Sequence, residues 1–270
     1  MYYLYDGSFE GFLSAMTYLM RDRKNLSSFK SGVWGIANEF SEPSLLPGIK
    51  TEIIPGILNE FGNYLNKNFG NDILKTIYHA FLSRENGIED NIVLYILLAR
   101  KIKSDPCDRL YEDCVKKVVR ASQKTKREIH RYTGLLRFQK IVNPGKAISD
   151  QNMSLEISNV LKPDIYIASF EPECEILNLL AEHFQSRLST QFFIIIDRRR
   201  DTCAIHIPGE ELIFKTISKT MQSNLAYDSS FEKLWSEYFK IISIKERENK
   251  NLQRNNLPLK YRKYMTEFLQ

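Results

Sequence analysis

The feature that most constrains this chain is a long, basic, amphipathic segment between Asp108 and Val142. Between Lys116 and Lys146 there are ten lysines and arginines but a single acidic residue, Glu128. The segment therefore carries a formal charge of about +9, in a chain of 270 residues whose net charge is only +5. Positive charge that is concentrated in one segment predicts a polyanionic partner. The total charge of the chain is a weaker indication, because charge spread over a surface also serves solubility.

Most of this segment has the periodicity of an α-helix with two faces. Apolar or small residues recur at steps of three and four, and five cations recur at the same steps. The first set is Leu110, Cys114, Val118, Ala121, Thr125, Ile129 and Tyr132, and the second is Lys116, Arg120, Lys124, Arg127 and Arg131. One stripe can pack into a core while the other neutralises phosphates and releases their counterions. A solvated, solubilising surface is the alternative, and the scarcity of acids favours binding.

Two further segments are rich in cations. Arg198, Arg199 and Arg200 connect two apolar stretches, and adjacent arginines at a strand end can hold phosphates through paired hydrogen bonds. From Lys245 onward the chain has seven lysines and arginines and three glutamates, interleaved with amides and tyrosines. This mixture suits a single nucleic-acid strand. The candidate contacts in this tail are Lys245, Arg247, Gln253, Arg254 and Arg262.

The order of apolar patterns predicts a mixed α+β fold. Residues 57–134 are mainly helical, and residues 135–207 contain four predicted strands. The first strand starts at Gly134 or Leu135, and the last two form a hairpin around Arg198–Asp201. We expect an antiparallel sheet from the C-terminal half, with the N-terminal strand joining its edge and helices packed on one face. Residues 1–270 form one compact domain in this prediction, and residues 245–270 are a basic surface tail.

The cysteine pattern and the apolar runs indicate the cellular compartment of the protein. Cys107, Cys114, Cys174 and Cys203 lack the spacing of a zinc site, so we expect free thiols and neither a metal nor a cofactor. The N-terminus does not resemble a signal peptide, and the longest apolar run is far shorter than a membrane span. These patterns predict a soluble, cytoplasmic protein.

Several segments, in the right order along nearly the whole chain, resemble one uncharacterised bacterial family. The segments are Tyr3–Gly11, Gly134–Phe138, Glu171–Glu173, Leu179–Phe184, Ile196–Arg200 and Ile244–Asn249 with Leu252–Gln253. This family is associated with DNA metabolism and DNA repair. Its domain also occurs fused to uracil-DNA glycosylases, and its members are commonly encoded beside a radical-SAM protein linked to DNA repair or modification.

The resemblance implies a role in DNA repair or modification but assigns no catalytic residue. The family pattern usually ends with a Met-Pro and a Tyr-Trp pair, whereas this chain has Leu257-Pro258 and Tyr261-Arg262. An aromatic ring that could stack on a base is thus replaced by a cation that could contact phosphate.

Polar residues near the predicted sheet give weak candidates for chemistry. Arg137 lies mid-strand among apolar residues in this prediction, so we expect it to pair with Glu171 or Asp197 if it is buried. Alternatively, Glu171, His183 and Asp197 could hold a divalent metal for phosphodiester cleavage. Glu171 and Glu173 are predicted at the start of a helix.

Three functions remain open at this point. The first is a DNA-binding accessory protein that presents DNA to a radical-SAM enzyme or a DNA glycosylase. Its contacts would be the five helix cations, Arg137, Arg198–Arg200 and the tail residues. The second is a metal-dependent enzyme acting on damaged or modified DNA. The third is a scaffold whose basic faces dock a partner protein.

Overall fold

The structure is a computed structural model that describes residues 2–21, 35–38, 48–70, 72–141, 164–217 and 249–268, with 234–235, 237–238, 241–242 and 244. Chain contacts divide it into two compact units, Met1–Arg127 and Glu128–Gln270. The single compact domain over residues 1–270 stays a prediction. None of the helices in the described ranges combines the length and the apolar composition needed to cross a bilayer.

The first unit combines a small parallel sheet with helices. Its strands β1 (Tyr2–Tyr5), β2 (Gly35–Asn38) and β3 (Gly48–Lys50) lie in the order β2-β1-β3, and both neighbours run parallel to β1. The helices are α1 (Phe9–Arg21), α2 (Ile57–Phe69), α3 (Ile73–Leu82) and α4 (Ile88–Ile102). The last three of these helices lie within residues 57–134, the part of the chain that the sequence predicts to be mainly helical. The expectation that the N-terminal strand joins the C-terminal sheet is wrong, because β1 hydrogen-bonds on both edges within its own sheet.

The basic segment forms α5 (Asp113–Leu135), which crosses the boundary between the two units. Its predicted apolar stripe is confirmed in the middle of the helix, where Val118, Ala121 and Thr125 are buried. Leu110 precedes the helix and is exposed. The helix also runs further than predicted, because the Leu136 N–H donates to the Tyr132 carbonyl four residues earlier.

The second unit is built on a five-stranded sheet in the order β4-β5-β6-β7-β8. The strands are β4 (Gln139–Lys140), β5 (Ile165–Phe170), β6 (Phe192–Asp197), β7 (Thr202–His206) and β8 (Ile213–Thr216). Helix α6 (Leu177–Arg187) connects β5 to β6, which are parallel, and the other neighbours are antiparallel. The predicted α+β class with an antiparallel sheet from the C-terminal half is confirmed, except that β5 and β6 are parallel.

The central strands are buried on both faces. Alternate residues of β5 and β6 point into two hydrophobic clusters, as expected from the two-residue period of a strand. Phe170, Phe193 and Ile195 belong to the cluster that includes α6, whereas Ile167, Ile194 and Ile196 belong to the other. All six residues of β6 are buried, as expected for a central strand whose two faces are both covered by hydrophobic side chains.

Two predicted boundaries in this unit are wrong and one strand was not predicted, each for an identifiable reason. The strand expected from Gly134 is reduced to Gln139–Lys140 because the helix continues through Leu135. The helix expected at Glu171 begins at Leu177, since the backbone N–H groups of Glu173 and Cys174 donate to the Glu128 carboxylate. Strand β8 was not predicted, because its short sequence Ile-Phe-Lys-Thr follows a turn region with no strong pattern.

The predicted surface tail contains both exposed and buried parts. Helix α7 (Lys250–Asn256) has no buried residue, as expected for a surface segment. Two 3₁₀ helices follow, Leu259–Tyr264 and Thr266–Phe268. Tyr261 in the first of them and Met265 between the two are buried. Tyr261 belongs to the same hydrophobic cluster as Phe170. The final segment is therefore part of the core of the second unit.

Candidate nucleic-acid interface

The cations of α5 form the largest set of predicted contacts that one element presents. Lys116, Arg120 and Arg127 are exposed, and Lys124 pairs with Glu85 at 3.2 Å with both side chains about half exposed. Lys117 and Lys126 add two exposed cations that the five-residue stripe did not include. Arg131 is partly buried, and its guanidinium lies 5.3 Å from the centre of the Tyr261 ring. Four of the five predicted cations thus remain at the surface of the helix.

Glu128, the acidic residue in the middle of this helix, is removed from the surface. It is 4% exposed. Its carboxylate accepts hydrogen bonds from the backbone N–H groups of Glu173 at 3.0 Å and Cys174 at 2.7 Å. A buried carboxylate needs such donors, and these two stabilise the loop between β5 and α6. After Asp113, every exposed charged side chain of α5 is therefore a lysine or an arginine.

The three arginines of the β6–β7 turn have different environments. Arg200 donates to the Asp197 carboxylate at 2.9 Å and to the backbone carbonyls of Pro172 and Glu173. Arg198 donates from Nε to the Ser169 hydroxyl at 3.2 Å. Arg199 is exposed. Arg200 therefore cross-links the turn to the neighbouring loop, and of the three side chains Arg199 is the one that lies open to solvent.

The three candidate catalytic residues have separate partners. Asp197 is fully buried and accepts the backbone N–H groups of Arg199 and Arg200 as well as the Arg200 guanidinium. Burial raises the pKa of the Asp197 carboxyl, although Arg200 opposes this shift. Hydrogen bonds from Lys263 and Tyr264 lower the pKa of Glu171. His183 is exposed on α6, with its ring edge-on to Phe184.

These partners engage both oxygens of Asp197 and Oε1 of Glu171. Within the described ranges, no three His, Cys, Asp or Glu side chains are grouped so as to hold a metal ion. The part of the chain that carries Glu171, His183 and Asp197 lies inside those ranges. The two carboxylates instead hold turns and the C-terminal segment in place.

The predicted ion pair of Arg137 with Glu171 or Asp197 is wrong. Arg137 pairs instead with Glu267, through Nη2 to Oε1 at 2.7 Å and Nε to Oε2 at 3.3 Å. The Glu267 side chain is only 5% exposed. Burial tends to raise the pKa of Glu267, but the hydrogen bonds that its carboxylate accepts and the charge of Arg137 together lower the pKa. Because this pairing joins residues 130 positions apart, no local pattern in the sequence could identify it.

The tail brings three predicted contacts together. Gln253, Arg254 and Arg262 line one pocket of about 340 Å³, together with Lys250, Leu259, Glu267 and Phe268. Lys250 and Phe268 were not predicted, although both fall within the mixture of cations and aromatic residues that marked the tail. Lys245 and Arg247 lie outside the described residues.

A second polar pocket, of about 370 Å³, lies where β6 ends. Asp197 lines it with Glu175, Asn178 and Lys215, and with Thr202, Thr216, Leu177 and Phe214. Crevices beyond the carboxyl ends of parallel strands are common ligand sites in α/β sheets. The two oxygens of Asp197 are already engaged with the turn, so its place on this wall is structural.

Taken together, the fold and these contacts define a mixed α+β protein with a cationic surface helix. Residues 86–267 match DUF4130, a domain of unknown function, and this match covers about two thirds of the chain. The chain belongs to that family. The match includes α5, the whole sheet of the second unit and the tail pocket. Neither a curated protein nor a solved structure matches the chain significantly.

Proposed function

We propose that this chain is a DNA-binding accessory protein in DNA repair or modification, which presents DNA to a partner enzyme. The observation that carries the proposal is the charge of α5. Its exposed surface bears cations and, after Asp113, no exposed acid, because Glu128 is buried. A solubilising helix surface normally mixes both signs of charge. A helix that exposes one sign over several turns suits a row of phosphates.

The DNA-related role rests on resemblance together with this surface. The quoted segments resemble a family that occurs fused to uracil-DNA glycosylases and is encoded beside a radical-SAM protein. Membership of a family of unknown function is compatible with that resemblance and adds no activity of its own. A radical-SAM protein or a uracil-DNA glycosylase is accordingly the partner enzyme in this proposal.

An accessory role fits the described side chains better than a metal-dependent DNA enzyme does. Asp197 and Glu171 are both occupied by cations and N–H groups of their own unit. A metal would have to displace those contacts before it could bind. A protein scaffold would use the same exposed cations for an acidic partner, and the binding experiment below separates it from DNA binding.

The test is equilibrium binding of the purified protein to single-stranded, duplex and uracil-containing oligonucleotides at several salt concentrations. If four phosphates are neutralised, the logarithm of the duplex association constant should fall against the logarithm of salt with a slope of about −3.6. A preference among the oligonucleotides would identify the form of DNA that is presented. Absence of binding near physiological salt would overturn the proposal, and a stable complex with an acidic protein would then support the scaffold.

A further inference from the structure

The pocket at the C-terminal segment has an excess of positive charge. Lys250, Arg254 and Arg262 line it, and the acid on its wall is Glu267. Glu267 is already the bidentate partner of Arg137. Its negative charge is therefore compensated outside the set of lining cations, and cations outnumber acids by three to one among the residues that line this volume of about 340 Å³. Such a pocket favours an anionic group.

Arg262 is held in one position within this pocket. Its Nε donates to the Leu257 carbonyl at 3.1 Å, and its guanidinium lies 4.7 Å from the centre of the Phe268 ring. Its Nη2 is buried and has no hydrogen-bond partner among the described residues. A buried charged donor without a partner is costly, so an anion beside this guanidinium would be stabilised. The fixed plane also reduces the entropy lost on binding.

The remaining wall of the pocket is suited to a base. Leu259 is 63% exposed and offers an apolar contact, and the exposed amide of Gln253 can both donate and accept hydrogen bonds. Cations that contact the phosphates beside a surface on which a base can pack are the elements of single-strand recognition. The volume is also within the range of small-ligand sites, near the size of one nucleotide.

We propose that this pocket binds one nucleotide of a single-stranded nucleic acid. Lys250, Arg254 and Arg262 hold its phosphate, and Leu259 and Gln253 contact its base. This proposal deepens the proposed function and rests on it, since both require a nucleic-acid ligand. It assigns the tail pocket a contact that is separate from the phosphate contacts of α5.

The experiment measures fluorescence anisotropy of a labelled oligothymidylate of about 12 nucleotides with the full chain. The test variant is Lys250→Gln with Arg254→Gln, because both side chains are exposed. We expect affinity to fall about tenfold and the salt slope to become less negative by about 0.7, the value for one phosphate of a single strand. The matched control, Lys101→Gln with Arg187→Gln, removes the same charge from exposed helix positions and should bind like the wild type.

Two ligand controls test the assignment to one nucleotide of a strand. An abasic strand of equal length should bind the wild type more weakly than oligothymidylate, because it lacks the base contact. Equal binding would overturn the nucleotide assignment and leave a phosphate contact alone. Thymidine 5′-monophosphate that binds as tightly as the strand would overturn the assignment to a strand.

The outcomes separate this inference from the proposed function. If the wild type binds DNA while the pocket variant and the control behave alike, the pocket assignment is wrong and the proposed function stands. If the wild type binds no oligonucleotide, both are wrong. Thermal unfolding of each variant verifies that the comparison is made between folded proteins.

Discussion

Glu128 illustrates at the scale of a single residue how an acid within a basic segment acquires a structural role. Its two carboxylate oxygens each accept one backbone N–H group, from Glu173 and from Cys174. Replacing it with glutamine keeps the shape but leaves one of these N–H groups facing an amide donor. We expect Glu128→Gln to lower the free energy of unfolding by about 2 kcal/mol, as measured by urea denaturation.

The control for Glu128→Gln is the same substitution at an exposed acid of the same unit. Glu182 lies on α6 and is exposed, so Glu182→Gln should change the free energy of unfolding by less than about 0.5 kcal/mol. If the two variants were equally stable, the carboxylate of Glu128 would not be holding the loop between β5 and α6.

Ion pairing at this scale lay beyond prediction from the sequence. Arg137 was correctly expected to need a carboxylate, because an arginine among apolar residues is costly when unpaired. The choice among Glu171, Asp197 and Glu267 depends on the packing of the C-terminal segment. Glu267 lies 130 residues further along the chain, and periodicity contains no information about contacts at that separation.

At the scale of elements, strong periodicity was a reliable guide and weak periodicity was not. The middle of α5 and the β6–β7 hairpin occur where the patterns predicted them, since several turns or alternations agree there. The end of α5 differs from the prediction because the pattern from Gly134 onward predicts the start of a strand, whereas the helix continues through Leu135. The start of α6 was misplaced because Glu171-Pro172-Glu173 has the composition of a helix start, although Glu128 stabilises an irregular loop there.

The charged face of α5 gives a prediction at the scale of an element. Arg120 and Arg127 are exposed, so Arg120→Glu with Arg127→Glu should leave the fold intact. If both side chains contact phosphates, the affinity for duplex DNA should fall about a hundredfold or more, and the salt slope should become less negative by about 1.8. Anisotropy titration at several salt concentrations measures both quantities.

The control for this charge reversal is Lys67→Glu with Lys101→Glu, which makes the same change in net charge at exposed positions of α2 and α4. It should weaken binding only slightly, through the lower overall charge. A folded α5 variant that bound DNA as tightly as this control would remove α5 from the interface.

At the scale of the whole molecule, charged residues separate into two classes with different roles. The buried or partly buried charges have fixed partners. Glu128 and Glu267 connect segments that are distant in sequence, whereas Asp197 holds its own turn through Arg199 and Arg200. Among the described residues, exposed cations lie on α5 and on the tail, and also on helices of the first unit. The net charge of +5 gives no indication of this separation, which depends on which acids are buried.

The C-terminal segment gives a prediction about the second unit as a whole. Removing residues 257–270 deletes Tyr261, which packs edge-on against Tyr132 at 5.0 Å, together with the buried Met265 and the Glu267 partner of Arg137. Burying two large side chains contributes about 3–6 kcal/mol, which is comparable with the whole stability of many domains. We therefore expect this truncation to lower the melting temperature strongly and to remove hydrogen-exchange protection from the amides of β5 and β6.

The control is Leu259→Ala, which alters an exposed residue of the same segment and should preserve that protection. Retained protection of β5 and β6 in the truncated chain would mean that the segment is a surface tail after all.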